Sequence, residues 1–139
     1  MSEFTLALDT NFLQALFQSN HVHHGKSVDV LVQYADAPVV ICPMVFSEAL
    51  CIPSVTLDQL ELYLKDFAIE VDWLMPEQVW KEAGLARAIF LENRADVTSP
   101  KRMIADFLIG AHALVHGYVL CTFDPKGFRT AFANLTLIP

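Results

Sequence analysis

Four carboxylates, Asp9, Glu48, Asp106 and Asp124, fall where strands and helices are expected to meet. Hard cations such as Mg²⁺ and Mn²⁺ take oxygen ligands, keep several waters, and are held by a few carboxylates together with substrate phosphate. A crevice gathering these four acids suits such a cation. Without one, the acids repel one another and raise their own pKa values. A cation there lowers the pKa of a water and neutralises charge on a leaving oxygen, which is the chemistry of phosphodiester hydrolysis. Spacing alone leaves a plain alternative open, because sixteen acids in 139 residues place some at strand ends by chance.

Other chemistries find less support. His21, His23 and His24 are dense enough to suggest a soft-metal site, but no cysteine or carboxylate follows closely, and they read as an exposed loop. His112 and His116 have the spacing of a zinc pair. The glutamate that should follow the first histidine in a metalloprotease is Ala113, so they read as structural. Cys42, Cys51 and Cys121 are odd in number and set in apolar surroundings, which predicts reduced core thiols and a cytoplasmic protein. No Gly-x-Gly-x-x-Gly or phosphate-binding glycine loop follows the first strand. Asn11 stands where a haloacid-dehalogenase-like phosphatase would need a second aspartate.

The elements that must position the acids follow from the pattern. Residues 5–9 predict a strand with Asp9 at its carboxyl end, and Asn11 opens a helix with Phe12, Leu13, Leu16 and Phe17 on one side. A helix over 27–34 and a buried strand over 39–42 come next. Pro43 starts a helix that carries Glu48 and stops at Pro53. Thr56 and Gln59 form a capping-box signature for a helix to about 68, before a strand over 69–73. A long helix over 77–94, a flexible-looking stretch over 95–100 and a helix over 101–116 bearing Asp106 follow. Gly117 ends that helix, 118–122 predicts a strand, 124–127 a loop bearing Asp124, and 135–138 a last strand. Strands alternating with helices imply right-handed crossovers, a parallel sheet with helices on both faces, and a ligand site beyond the strands' carboxyl ends.

These segments resemble the PIN domain family. Leu6-Ala-Leu-Asp9-Thr10-Asn11 is similar to its opening strand motif, Val45-Phe-Ser-Glu48-Ala-Leu50 to its second acidic motif, and Ile104-Ala-Asp106-Phe to its third. Gly117-Tyr-Val-Leu-Cys-Thr122-Phe-Asp124 resembles the fourth. The resemblance runs in order along nearly the whole chain. It implies a three-layer α/β/α sandwich, a commonly dimeric, Mg²⁺- or Mn²⁺-dependent endoribonuclease, and most often a VapC-type toxin paired with an antitoxin. It assigns metal binding and catalysis to Asp9, Glu48 and Asp106, with Asp124 as a fourth acid that acts through water. Thr10, Asn11 and Thr122 become polar groups orienting those acids, although Asn11 as a helix cap and Thr122 as a turn former are equally good structural readings. Two departures stand out: Gly110 sits where the family prefers alanine, and Asp124-Pro125-Lys126-Gly127 differs from the common acidic loop.

The bulk properties set limits. A length of 139 residues fits a single domain over 1–139 with one core. The net charge of −7 excludes holding RNA by bulk charge, so any RNA contact must be local, and Lys101, Arg102, Lys126 and Arg129 flank the third and fourth acidic motifs. The apolar fraction of 54% exceeds the ~45–50% usual for soluble domains. A second copy of the chain or an antitoxin segment would cover the excess. No uninterrupted apolar run is long enough for a membrane span. Phe12, Phe17, Phe46, Trp73, Trp80, Phe90, Phe107 and Phe128 read as core aromatics. The competing functional reading is a PIN-like module that has lost catalysis and binds RNA or protein.

Overall fold

The computed structural model describes residues 3–93 and 104–139. In chain order its elements are β1 (Leu6–Leu8), α1 (Thr10–Phe17), α2 (His24–Gln33), β2 (Val39–Ile41), α3 (Pro43–Ala49), α4 (Leu57–Asp66), β3 (Ile69–Val71), α5 (Glu77–Glu92), α6 (Ile104–His116), β4 (Val119–Cys121), α7 (Pro125–Ala131) and β5 (Leu137–Ile138). The five strands form one sheet in the order β3-β2-β1-β4-β5, and every pairing is parallel.

That order decides where the helices lie. From β1 the chain steps to β2 and then β3 in one direction, crosses back past β1 to β4, and continues to β5. Right-handed crossovers therefore place α1 to α4 on one face and α5 to α7 on the other. The packing agrees: α1 contacts α2 and α3, while α5, α6 and α7 contact one another. This is the three-layer α/β/α sandwich expected from the sequence. The strands are buried because both faces are covered, with Leu6, Leu8, Ile41, Leu120 and Cys121 almost inaccessible.

Local signals account for most boundaries. Thr56 accepts from the Gln59 N–H while the Gln59 side chain accepts from the Thr56 N–H, completing the expected capping box of α4. Pro43 begins α3. Gly117 ends α6 at φ +72, a left-handed conformation suited to glycine. Gly110 has a steric reason: an added Cβ would stand 2.5 Å from the ring of Phe132, which follows α7, so a larger residue in α6 would force that ring to shift.

Several expectations need correction. The first helix begins at Thr10, and its N-cap is Asp9 rather than Asn11. The loop expected over 124–127 is the start of α7, because Pro125 supplies a preset φ at its first turn. His24 opens α2, with Nδ1 donating to the Ala15 carbonyl at 2.8 Å, so the histidine group is only partly loop. Trp73 and Trp80 are 62% and 54% exposed, and Cys51 is exposed rather than in the core. Ile89 on α5 also points to solvent. The expected flexible stretch over 95–100, and the first turn of the helix expected from 101, lie outside the described residues.

Candidate active site

The sheet's direction of travel reverses between β1 and β4, and there the acids gather. At such a switch point the two flanking helices leave on opposite faces and open a crevice at the strands' carboxyl ends. Asp9 follows β1 directly, its N–H donating to the Cys121 carbonyl at 2.9 Å and so extending the ladder with β4. As N-cap of α1 it accepts the Thr10 N–H on Oδ1 at 2.8 Å, and Oδ2 accepts the Thr122 hydroxyl at 2.8 Å. The carboxylate is 6% exposed.

Glu48 comes from α3 and Asp106 from the first turn of α6. The Thr10 hydroxyl donates to Glu48 Oε1 at 2.7 Å, so consecutive residues 9 and 10 bind one acid and supply another. Burial pushes the Asp9 pKa up from 3.8 to about 6. The Thr122 and Thr10 hydrogen bonds oppose that rise, and the negative charges of Asp106 and Glu48 add to it. Three sequence-distant acids thus sense one another. Asp124, at the start of α7, is exposed and tied to the group through Thr122, whose Oγ1 accepts the Asp124 N–H at 3.0 Å.

Thr122 and Asn11 complete the frame. Asn11 Oδ1 accepts the Phe123 N–H at 3.1 Å, and its Nδ2 points to Thr122 Oγ1 at 3.4 Å, a long contact. Asn11 therefore fastens α1 to the segment after β4. Thr122 both closes the turn to Asp124 and holds Asp9. Beside Thr10 and Glu48 lies a cavity of about 320 Å³, also lined by Gln14, Cys51, Ile52 and Pro53. The thiol of Cys42, the residue that precedes α3, is pushed up to about 11 by burial, with Asp9 and Glu48 adding to the effect, so it stays protonated. The donors offered to a cation are therefore oxygens.

Of the expected basic rim, Lys126 and Arg129 lie exposed on α7, close after Asp124. Lys101 and Arg102 lie outside the described residues. Sequence reading missed an aromatic stack at the rim: His23 lies flat on Phe123 at 4.3 Å, and Phe123 on Phe12 at 5.0 Å. Residues a hundred positions apart give no sequence signal of such contact. It also missed Asp72, which meets His112 and His116. Burial, followed by the nearby His116, pushes His112 down to about 4. Burial alone would raise Asp72, but the Tyr118 hydroxyl, the Leu74 N–H and the two histidines together hold it below its usual value.

The PIN domain profile matches residues 6–133, and the chain belongs to that family. The fold is similar to VapBC-1 from nontypeable Haemophilus influenzae, at 19% identity and TM-score 0.68 over 97% of each chain. It is similar to FitAcB from Neisseria gonorrhoeae, at 17% identity and TM-score 0.69 over 97% of each. VapC20 of Mycobacterium tuberculosis, described as a sarcin–ricin loop cleaving toxin, aligns at 14% identity and TM-score 0.63 over 95% of this chain and 97% of its own. No curated protein matches the chain by sequence.

Proposed function

We propose that this chain, as a single nuclease domain over residues 1–139, is a Mg²⁺- or Mn²⁺-dependent endoribonuclease and the toxin of a cytoplasmic toxin–antitoxin pair. The observation that carries the reading is Asp9, a buried carboxylate raised to about 6 and facing two further acids from other elements. An isolated structural aspartate would gain nothing from such neighbours, whereas a divalent cation offsets their repulsion. Asp9, Glu48 and Asp106 would hold the cation, with Asp124 contributing through water. The bound cation would activate a water and stabilise charge on the phosphate.

The chain's own groups do the rest. Thr10 and Thr122 fix the Glu48 and Asp9 carboxylates by donating to them, so the ligands are oriented before the substrate arrives. Lys126 and Arg129 supply local positive charge for RNA phosphates against a net charge of −7. The His23–Phe123 pair offers a flat face on which an unpaired base can stack. The toxin reading draws on the similar folds, one described as a toxin–antitoxin complex from Klebsiella pneumoniae and another as a sarcin–ricin loop cleaving toxin. A homodimer and an antitoxin are the expected protein partners. No described helix is long and apolar enough to cross a membrane.

The test is cleavage of total cellular RNA by purified protein with Mg²⁺ or Mn²⁺, with EDTA, and by Asp9→Asn, Glu48→Gln and Asp106→Asn in parallel. The expected result is metal-dependent cutting that all three substitutions abolish. Folded, partner-free protein that cuts no RNA with either metal would leave the non-catalytic binding module as the better account.

A further inference from the structure

Among the described residues, Asp72, His112 and His116 meet away from the acid crevice. One ligand atom from each lies within 4.8 Å of the other two. His112 Nε2 is 3.2 Å from Asp72 Oδ2, and His116 Nε2 is 3.7 Å from the same oxygen. His112 is 1% exposed, and among the described residues its Nε2 has Asp72 at 3.2 Å as an ion-pair neighbour but no well-formed hydrogen bond. A buried ring nitrogen without a hydrogen bond calls for a reason.

The surrounding contacts supply one. His116 Nδ1 lies 2.8 Å from the His112 carbonyl, which can only accept, so Nδ1 carries the proton and Nε2 presents a lone pair. Asp72 is held from behind: Oδ1 accepts the Leu74 N–H at 3.1 Å, and Oδ2 accepts the Tyr118 hydroxyl at 2.9 Å. An imidazole anchored through Nδ1 to a backbone carbonyl, and a carboxylate anchored by a hydroxyl, are the supports that metal ligands usually have. Ligand atoms about 2.0–2.2 Å from a tetrahedral zinc stand roughly 3.4 Å apart, close to the 3.2 and 3.7 Å seen here.

We propose that Asp72, His112 and His116 form a second metal site, specific for a borderline transition ion of the Zn²⁺ class and distinct from the acid crevice. Two imidazoles and one carboxylate suit zinc and its neighbours and not Mg²⁺, which prefers all-oxygen ligands. Three protein ligands leave a fourth position for water. The site joins the segment after β3 to the carboxyl-terminal half of α6, whose first turn carries Asp106. His112 lies about 9 Å along the helix axis from Asp106 at 1.5 Å per residue. The metal therefore clamps the helix that delivers one of the crevice acids.

The test uses tag-free full-length protein in which Asp9→Asn, Glu48→Gln and Asp106→Asn have removed the crevice acids, so that only the second site can answer. Zn²⁺ is titrated by calorimetry, and Co²⁺ is added as a spectroscopic probe. One equivalent of Zn²⁺, a raised Tm and the visible absorption of tetrahedral Co²⁺ are expected. Asp72→Asn and the partly exposed His116→Gln, both spared the packing damage of altering buried His112, should each weaken Zn²⁺ binding about tenfold or more and abolish the cobalt bands. Tyr118→Phe should weaken binding and keep the bands. Absence of Zn²⁺ binding, octahedral cobalt, or binding that survives His116→Gln, as it would if His21, His23 and His24 were the ligands, would overturn the proposal.

Discussion

Asp9 is the residue on which the site's electrostatics turn, and its stability cost has a definite sign. A folded pKa of about 6 against 3.8 means that the folded protein binds the proton more tightly than the unfolded chain. The Asp9 contribution to stability is therefore fully present below pH 3.8 and lost as pH rises through about 6, amounting to about 3 kcal/mol. In EDTA, Asp9→Asn should raise Tm at pH 8, with the gain shrinking towards pH 4; saturating Mg²⁺ should reverse the order by stabilising the wild type alone. Equal Tm values for the two proteins at pH 8 in EDTA would show that neither burial nor the neighbouring acids strain the carboxylate. Thr10→Val tests the support of Glu48: losing the 2.7 Å hydrogen bond should lower RNA cleavage about tenfold while leaving the melting curve almost unmoved. The acids themselves were legible in the sequence because each ends a strand or rides an adjacent helix. The hydrogen-bond frame was less so: Asn11 read equally well as a cap, and only the fold shows it bound to Phe123. Asp72 was invisible, since nothing in sequence ties it to histidines forty residues away.

At the scale of elements, periodicity and punctuation located the strands and helices, and errors arose where tertiary packing or a single proline decided. Residues 124–127 read as a loop, although proline is also favoured in a helix's first turn, and the short α7 results. Trp80, expected among the core aromatics, lies on the outer side of α5, because aromatic character alone does not tell a core position from an exposed one. The family-atypical Gly110 is explained by α7: the Phe132 ring occupies the space of a Cβ. Gly110→Ala should therefore destabilise by about 1 kcal/mol, an overpacking cost of 1–3 kcal/mol partly offset by alanine's better helix propensity. In a Phe132→Leu background the same change should become neutral or stabilising, and chemical denaturation of the four proteins of this cycle reads the coupling. By contrast Thr56→Ala removes one half of a capping box remote from the acids, and should cost about 1 kcal/mol with RNA cleavage intact.

For the whole molecule, charge and apolar surface act in opposite directions on association. A net charge of −7 makes two copies repel, and salt screens that repulsion. Yet α5 and its flanks expose Trp73, Leu74, Trp80, Leu85, Ile89 and Leu91, with Ile104 at the start of α6. The tryptophans are held in place: Trp80 Nε1 donates to the Met75 carbonyl at 3.2 Å, and Trp73 packs edge-on against Phe46 at 5.3 Å. Ordered exposed aromatics bury area at little entropic cost, the property of interface anchors. A second copy pairing through this helix would bury them symmetrically and leave the carboxyl edge of the sheet open to RNA. Sedimentation should then show a dimer that tightens as salt is raised, whereas RNA binding through Lys126 and Arg129 should weaken over the same range. Trp80→Glu and Ile89→Glu should each yield a folded monomer. A monomer at every salt concentration in the wild type would instead leave this surface to an antitoxin segment, and the opposite salt responses would then separate protein pairing from RNA binding in the complex.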